Sequence, residues 1–275
     1  METIPLQHVT IDGRGLAYRE LGSGPAVLLL HGWPTSSLLW RAIMPTLAQH
    51  CRVIAPDLPG FGGSDKPSDV RYTFAFFEKL LDGMCAALKV EDLALGVHDL
   101  GGPIGLHWAL QKPARVRKLA LLNTLVYPEF SSEVVEFVRR CATPELRDQL
   151  TSPAGLEGLI RDGVERPSSI SKELLTSMLA PFREPDARLA LAAAAIGLST
   201  RGFQEIARDL PRLRIPTRIV YGERDRLLPD VAQTMARVQR ELPHAKATAL
   251  PDRGHFLQED APARVAELLA EFFRG

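Results

Sequence analysis

Five short, largely apolar runs recur along this chain with stretches of helical pattern between them, and that alternation restricts the fold more than any other feature. The runs are Ala26–Leu30, Val53–Ala55, Leu93–Val97, Leu119–Leu122 and Arg218–Tyr221. Continuous apolar character belongs to strands buried on both faces. The stretches between them include Phe74 to Leu88 and Ile104 to Leu110. The expected fold is therefore α/β, a mostly parallel central sheet flanked by helices on both faces. Two earlier segments, Gln7–Ile11 and Leu16–Leu21, are more polar and flank the turn sequence Asp12-Gly13-Arg14-Gly15, which predicts an edge hairpin.

The alternation stops between Tyr127 and Arg212. This stretch is helical in pattern and punctuated by Pro128, Pro144, Pro153, Pro167, Pro181 and Pro185. The strand pattern resumes at Pro216-Thr217-Arg218-Ile219. Residues 1–126 and 213–275 are thus expected to form one discontinuous core domain, with 127–212 inserted as a helical cap. An insertion at the carboxyl ends of parallel strands lies over the usual ligand crevice of such a sheet. The alternative is a helical layer on a sheet edge with no part in binding.

Charge and cysteine usage exclude several classes. The 33 lysines and arginines balance the 33 aspartates and glutamates, and no basic block stands out, which argues against a nucleic-acid partner. No apolar run reaches the roughly 20 residues of a membrane-spanning helix. The start, Met1-Glu2-Thr3-Ile4-Pro5, lacks the basic and apolar regions of a signal peptide, so a cytoplasmic protein is expected. Cys51, Cys85 and Cys141 are scattered and odd in number, which disfavours a disulfide framework or a zinc site.

The segment most suggestive of chemistry is Val97-His98-Asp99-Leu100-Gly101-Gly102-Pro103, which joins a buried strand to a helix. A tight strand–turn–helix is the setting of a nucleophile elbow, with Asp99 at its apex. A carboxylate there needs no base to activate it, and the helix N-terminus favours its charge. By itself Asp99 reads more readily as a helix N-cap. Other segments shift that balance. His31-Gly32-Trp33-Pro34 follows the first strongly apolar strand, where an elbow enzyme draws one backbone N–H of an oxyanion hole. Here Trp33 supplies that N–H and Leu100 the second, while His31 is read as a core histidine shaping the loop. Asp225 follows a later strand in Tyr221-Gly222-Glu223-Arg224-Asp225, and His255 follows the last strand in Asp252-Arg253-Gly254-His255-Phe256. The chain order Asp99, Asp225, His255 is that of nucleophile, orienting acid and base.

With Gly24–Pro34, Asp57–Pro67 and Gly254–Glu259, these residues resemble the α/β-hydrolase fold family over essentially the whole chain. Val-His-Asp-x-Gly-Gly resembles its aspartate-nucleophile branch, which includes haloalkane dehalogenases, epoxide hydrolases and fluoroacetate dehalogenases. The resemblance implies that Asp99 attacks an sp³ carbon to form an ester and that His255 directs water onto it. It implies no metal and no organic cofactor, with a small apolar organic molecule and water as reactants.

The leaving group separates the branches. Haloalkane dehalogenases typically place Trp after the nucleophile, where this chain has Leu100, and often Asn after His-Gly, where it has Trp33. The Trp33 indole N–H is therefore one candidate for holding a leaving halide. Epoxide hydrolases use two cap tyrosines as acids, and the insertion contains only Tyr127, the other candidate. Fluoroacetate dehalogenases place Arg after the nucleophile, so Leu100 disfavours a carboxylate substrate. An expelled halide needs no proton, whereas an opening epoxide does. Carbon–halogen hydrolysis is thus favoured, with epoxide hydrolysis as the alternative. An esterase or lactonase is disfavoured because a carboxylate attacking an ester gives a mixed anhydride. A receptor is disfavoured because an intact acid–His pair would have no job there; a biosynthetic activity on the same fold stays open. The pocket is expected to be apolar, walled by Trp33, Leu100, Phe61 and Phe256.

Overall fold

A computed structural model describes residues 4–274; the start of the chain through Thr3 lies outside the described residues, as does Gly275. Eight strands form one sheet: β1 (Leu6–Ile11), β2 (Arg14–Leu21), β3 (Ala26–Leu30), β4 (Arg52–Pro56), β5 (Leu93–His98), β6 (Val116–Leu122), β7 (Thr217–Gly222) and β8 (Lys246–Leu250). Their spatial order is β1-β2-β4-β3-β5-β6-β7-β8. The two contacts made by β2 are antiparallel and the other five neighbouring pairs are parallel.

Each apolar run feeds both layers, because successive side chains in a strand point to opposite faces. In β3, Leu28 and Leu30 join one core cluster with Phe77, Leu81, Ile104 and Trp108 from the helices Phe74–Ala87 and Gly101–Gln111. Val27 and Leu29 join the opposite cluster with Met44, Leu47, Leu268 and Leu269 from the helices Met44–Leu47 and Pro262–Arg274. The edge hairpin is tighter than its sequence suggests. Asp12 and Gly13 alone make the turn, with φ of 50° and 76°, so Arg14 already pairs with Ile11. Two consecutive left-handed residues suit a two-residue hairpin turn. Strand β8 is half-exposed at the opposite edge, which explains why it lacks an apolar run.

From Ser132 to Arg212 the chain is helical, and its serines and prolines set the segment ends. Ser131, Ser152, Ser171 and Ser199 each accept a hydrogen bond from the backbone N–H three residues on. Pro144, Pro153 and Pro185 open helices at the first position, where a missing N–H costs nothing. Ion pairs tie this segment to the rest of the chain, among them a clamp at His107 and the pairs of Arg224 and Arg226 with Glu165. His107, on the helix after β5, faces Glu78 through Nδ1 and Glu205 through Nε2, the latter at 3.0 Å. Glu78 lies in the helix Phe74–Ala87, and Glu205 in the inserted helix Thr200–Asp209, where it also pairs with Arg201.

Burial alone lowers the His107 pKa, but hydrogen bonds and charge from Glu78 and Glu205 outweigh it and raise it above its ordinary value. A raised folded-state pKa stabilises the fold below the unfolded value of about 6.5 and loses that contribution as pH rises through the folded pKa. His107→Gln is expected to flatten this part of the profile, measured as urea stability between about pH 6 and about pH 9. An unchanged profile would mean that His107 is not the titrating clamp.

Candidate active site

Strand β5 is buried along its whole length and ends in a turn that only a strongly constrained residue tolerates. Asp99 has φ of 50°, in the left-handed region that L-residues avoid at a cost of roughly 1–2 kcal/mol. Three hydrogen bonds hold it there. Its N–H donates to the Asn123 carbonyl at 3.0 Å. Its carbonyl accepts from Thr124 Oγ1 at 2.7 Å and from the Gly102 N–H at 2.9 Å. The helix then starts at Gly101, three residues earlier than its apolar pattern indicates. A Cβ at Gly101 would meet the His31 carbonyl oxygen at 2.5 Å, and one at Gly32 would collide with the Asp99 side chain. Both glycines therefore let the two loops close on the carboxylate.

The loops after β3, β7 and β8 converge on this apex. The Trp33 N–H donates to Asp99 Oδ1 at 2.6 Å, and the neighbouring Leu100 N–H also favours the charged form of that carboxylate. His255 Nε2 lies 3.7 Å from Asp99 Oδ2, and His255 Nδ1 lies 2.8 Å from Asp225 Oδ2. Asp225 is fully enclosed; its Oδ1 accepts the Leu227 and Leu228 N–H groups at 2.9 and 2.8 Å. With Nδ1 committed to a carboxylate, His255 presents Nε2 toward Asp99, and that nitrogen has no partner among the described residues. The Asp99 side chain keeps 15% exposure against 1% for His255 and 0% for Asp225, so it is the open member of the three.

Burial raises the Asp99 pKa, opposed by the charge of His255 and the two backbone N–H groups. Burial alone would lower that of His255, but the charge and hydrogen bond of Asp225, with the charge of Asp99, raise it. The arrangement offers a partly exposed anion, neighbouring backbone N–H groups and an imidazole backed by a carboxylate. That set fits nucleophilic attack followed by base-assisted entry of water.

His31 braces its loop, with Nδ1 on the Gly32 carbonyl and Nε2 accepting the Leu58 N–H, both at 2.9 Å. The two leaving-group candidates both have protein partners in this structure. The Trp33 indole N–H donates to the Leu191 carbonyl of the inserted helix Pro185–Ile196 at 2.9 Å, so it is engaged elsewhere. Tyr127 donates to Glu241 Oε2 at 2.9 Å beneath the Arg237 guanidinium, on the side of the helix Val231–Glu241. Phe61 and Phe256 are enclosed, the first edge-on to His31 and the second against His98 and His255, and neither presents a wall.

Asn123 escapes a motif-based reading. Its Nδ2 donates to Asp225 Oδ2 at 2.7 Å, and its Oδ1 accepts the Gly222 N–H at 2.9 Å, so it ties β6 to the loop after β7. Its one sequence signal is a polar pair, Asn123-Thr124, at the carboxyl end of an apolar strand. His98 is similarly hidden: its Nε2 lies 3.0 Å from the His255 carbonyl.

A family model described as alpha/beta hydrolase fold matches residues 25–149. A haloalkane dehalogenase of Sphingobium indicum is 33% identical, over 97% of this chain and 94% of that protein. Haloalkane dehalogenase 2 of Mycobacterium bovis is 31% identical over 93% and 90%. The crystal structure of haloalkane dehalogenase DbeA from Bradyrhizobium elkani superposes with a TM-score of 0.87 at 28% identity, covering 98% of this chain and 97% of that one. The chain belongs to the α/β-hydrolase fold family, and it is a hydrolase. Among the described residues, no helix is long and apolar enough to cross a membrane.

Proposed function

We propose that this hydrolase cleaves a carbon–halogen bond in a small apolar organic molecule through a covalent ester on Asp99. An Asp99 oxygen attacks the sp³ carbon, and the halide departs with the bonding electrons. His255 Nε2 then takes a proton from water as the water oxygen bonds to Asp99 Cγ. The tetrahedral intermediate collapses, and the alcohol leaves with the Asp99 oxygen and a proton returned by His255. The Trp33 and Leu100 N–H groups hold the negative charge on the oxygen that remains. Asp225, with Asn123, keeps the imidazole in one tautomer.

The observation that carries this reading is a carboxylate, not a hydroxyl, at the elbow apex, held by the Trp33 backbone N–H with a paired imidazole 3.7 Å away. The halide reading over the epoxide one rests on the acid. The insertion's one tyrosine, Tyr127, already donates to Glu241, and an expelled halide needs no acid. The names of the dehalogenase relatives point the same way. We assign residues 127–212 as a cap over this site. In support, Leu191 and Phe137 of the insertion touch Trp33.

A panel of 1-halo- and 1,2-dihaloalkanes, styrene oxide and p-nitrophenyl esters tests the reading. Halide release from at least one haloalkane is expected, with no comparable turnover of the epoxide or the esters. Diol formation from styrene oxide without halide release from any haloalkane would overturn it.

A further inference from the structure

The loop that carries His255 is fixed at three successive residues. The Gly254 N–H donates to Asp260 Oδ2 at 2.8 Å. The His255 carbonyl is held by His98 Nε2 at 3.0 Å. The Phe256 N–H donates to the carbonyl of Gly163, in the helical insertion, at 2.9 Å. The Asp260 carboxylate is itself 3% exposed and reaches across to that same insertion. Its Oδ2 accepts the Glu165 N–H at 2.9 Å and its Oδ1 the Arg166 N–H at 3.1 Å. The Asp260 carbonyl accepts from Arg166 Nη2 at 2.9 Å. From the β7 side, Arg226, next to Asp225 in sequence, donates to the carbonyls of Asp162 and Val164 at 2.9 and 2.7 Å.

We propose that Asp260 is a positioning residue for His255, and that through it the segment Gly163–Arg166 of the insertion sets the place of the base. One carboxylate serves three N–H donors from two parts of the chain, so losing one acceptor oxygen leaves a buried donor unmatched and frees the loop. A shift of about 1 Å in a reacting group can cost on the order of a hundredfold in rate. The inference rests on the covalent two-step reading. It makes a demand that a purely structural role does not. Asp99 attacks without a base, so a displaced His255 slows breakdown of the ester and spares its formation.

The test is single-turnover reaction of Asp260→Asn with 1-bromobutane, following bromide release and, by intact-protein mass, the ester on Asp99. Bromide release within about threefold of the parent is expected, with ester breakdown slowed by about tenfold or more, so that the ester accumulates. Arg226→Ala is made alongside, in case Asp260→Asn fails to fold; the same selective loss, smaller in size, is expected of it. Equal slowing of both steps, or slowing of neither, overturns the inference. His255→Gln is the reference. If it gains no ester, the two-step reading falls and the inference with it; if it gains one while neither variant is selective, the inference alone falls.

Discussion

Asp99→Ala is expected to retain less than about one part in a hundred of the parent's turnover while folding normally. No neighbouring group can replace the lost oxygen, because the other side chains gathered at the apex are an imidazole and an enclosed carboxylate already committed to four donors. The fold should survive for an electrostatic reason. The native carboxylate is desolvated enough to raise its pKa, so its removal relieves a burial cost. Alanine keeps the same strained φ, and left-handed backbone costs it about 1–2 kcal/mol, with no new clash. Product release by steady-state assay and unfolding by thermal melt read the two effects separately. A variant that keeps more than about a hundredth of the activity would make Asp99 a helix-entry carboxylate rather than the nucleophile.

Much of this arrangement can be read along the chain because parallel strands deliver their carboxyl ends to one edge. Leu95, Leu119 and Ile219 mark neighbouring strands by apolar character alone. The residues just past those strands must then lie near one another. Asp99 and Asp225 are brought to one edge for that reason, although 126 positions separate them; His255, 30 positions further on, follows β8, an edge strand with no apolar run to mark it. The structure adds why glycine stands at two of these turns: at Gly32 and Gly101 the loops approach too closely for a side chain.

What escapes a sequence reading depends on which group finds which partner across the fold. The Trp33 indole looks free for a halide until the Leu191 carbonyl, 158 positions away, takes its hydrogen bond. Tyr127 opens the long helical stretch in sequence, yet its hydroxyl turns to Glu241 of the helix Val231–Glu241. Asp260 resembles any acidic residue next to another in sequence, and nothing local shows that three backbone donors converge on it. Polar contacts of this kind carry no periodicity, so hydropathy patterning passes over them. The boundaries of the edge hairpin shifted for a smaller reason: Asp12 accepts a positive φ, which leaves Arg14 and Gly15 free to pair.

In the proposed two-step reaction Asp99 needs no base to attack, whereas water is a poor nucleophile toward an ester unless His255 takes its proton as it adds. Removing the imidazole therefore separates the two half-reactions. His255→Gln, mixed with a haloalkane that the parent hydrolyses, is predicted to release one equivalent of halide and stop. Intact-protein mass spectrometry should show a stoichiometric gain equal to the alkyl group, and peptide mapping should place it between Val97 and Gly102. A His255→Gln protein that is inactive and unmodified by that substrate would contradict the covalent mechanism.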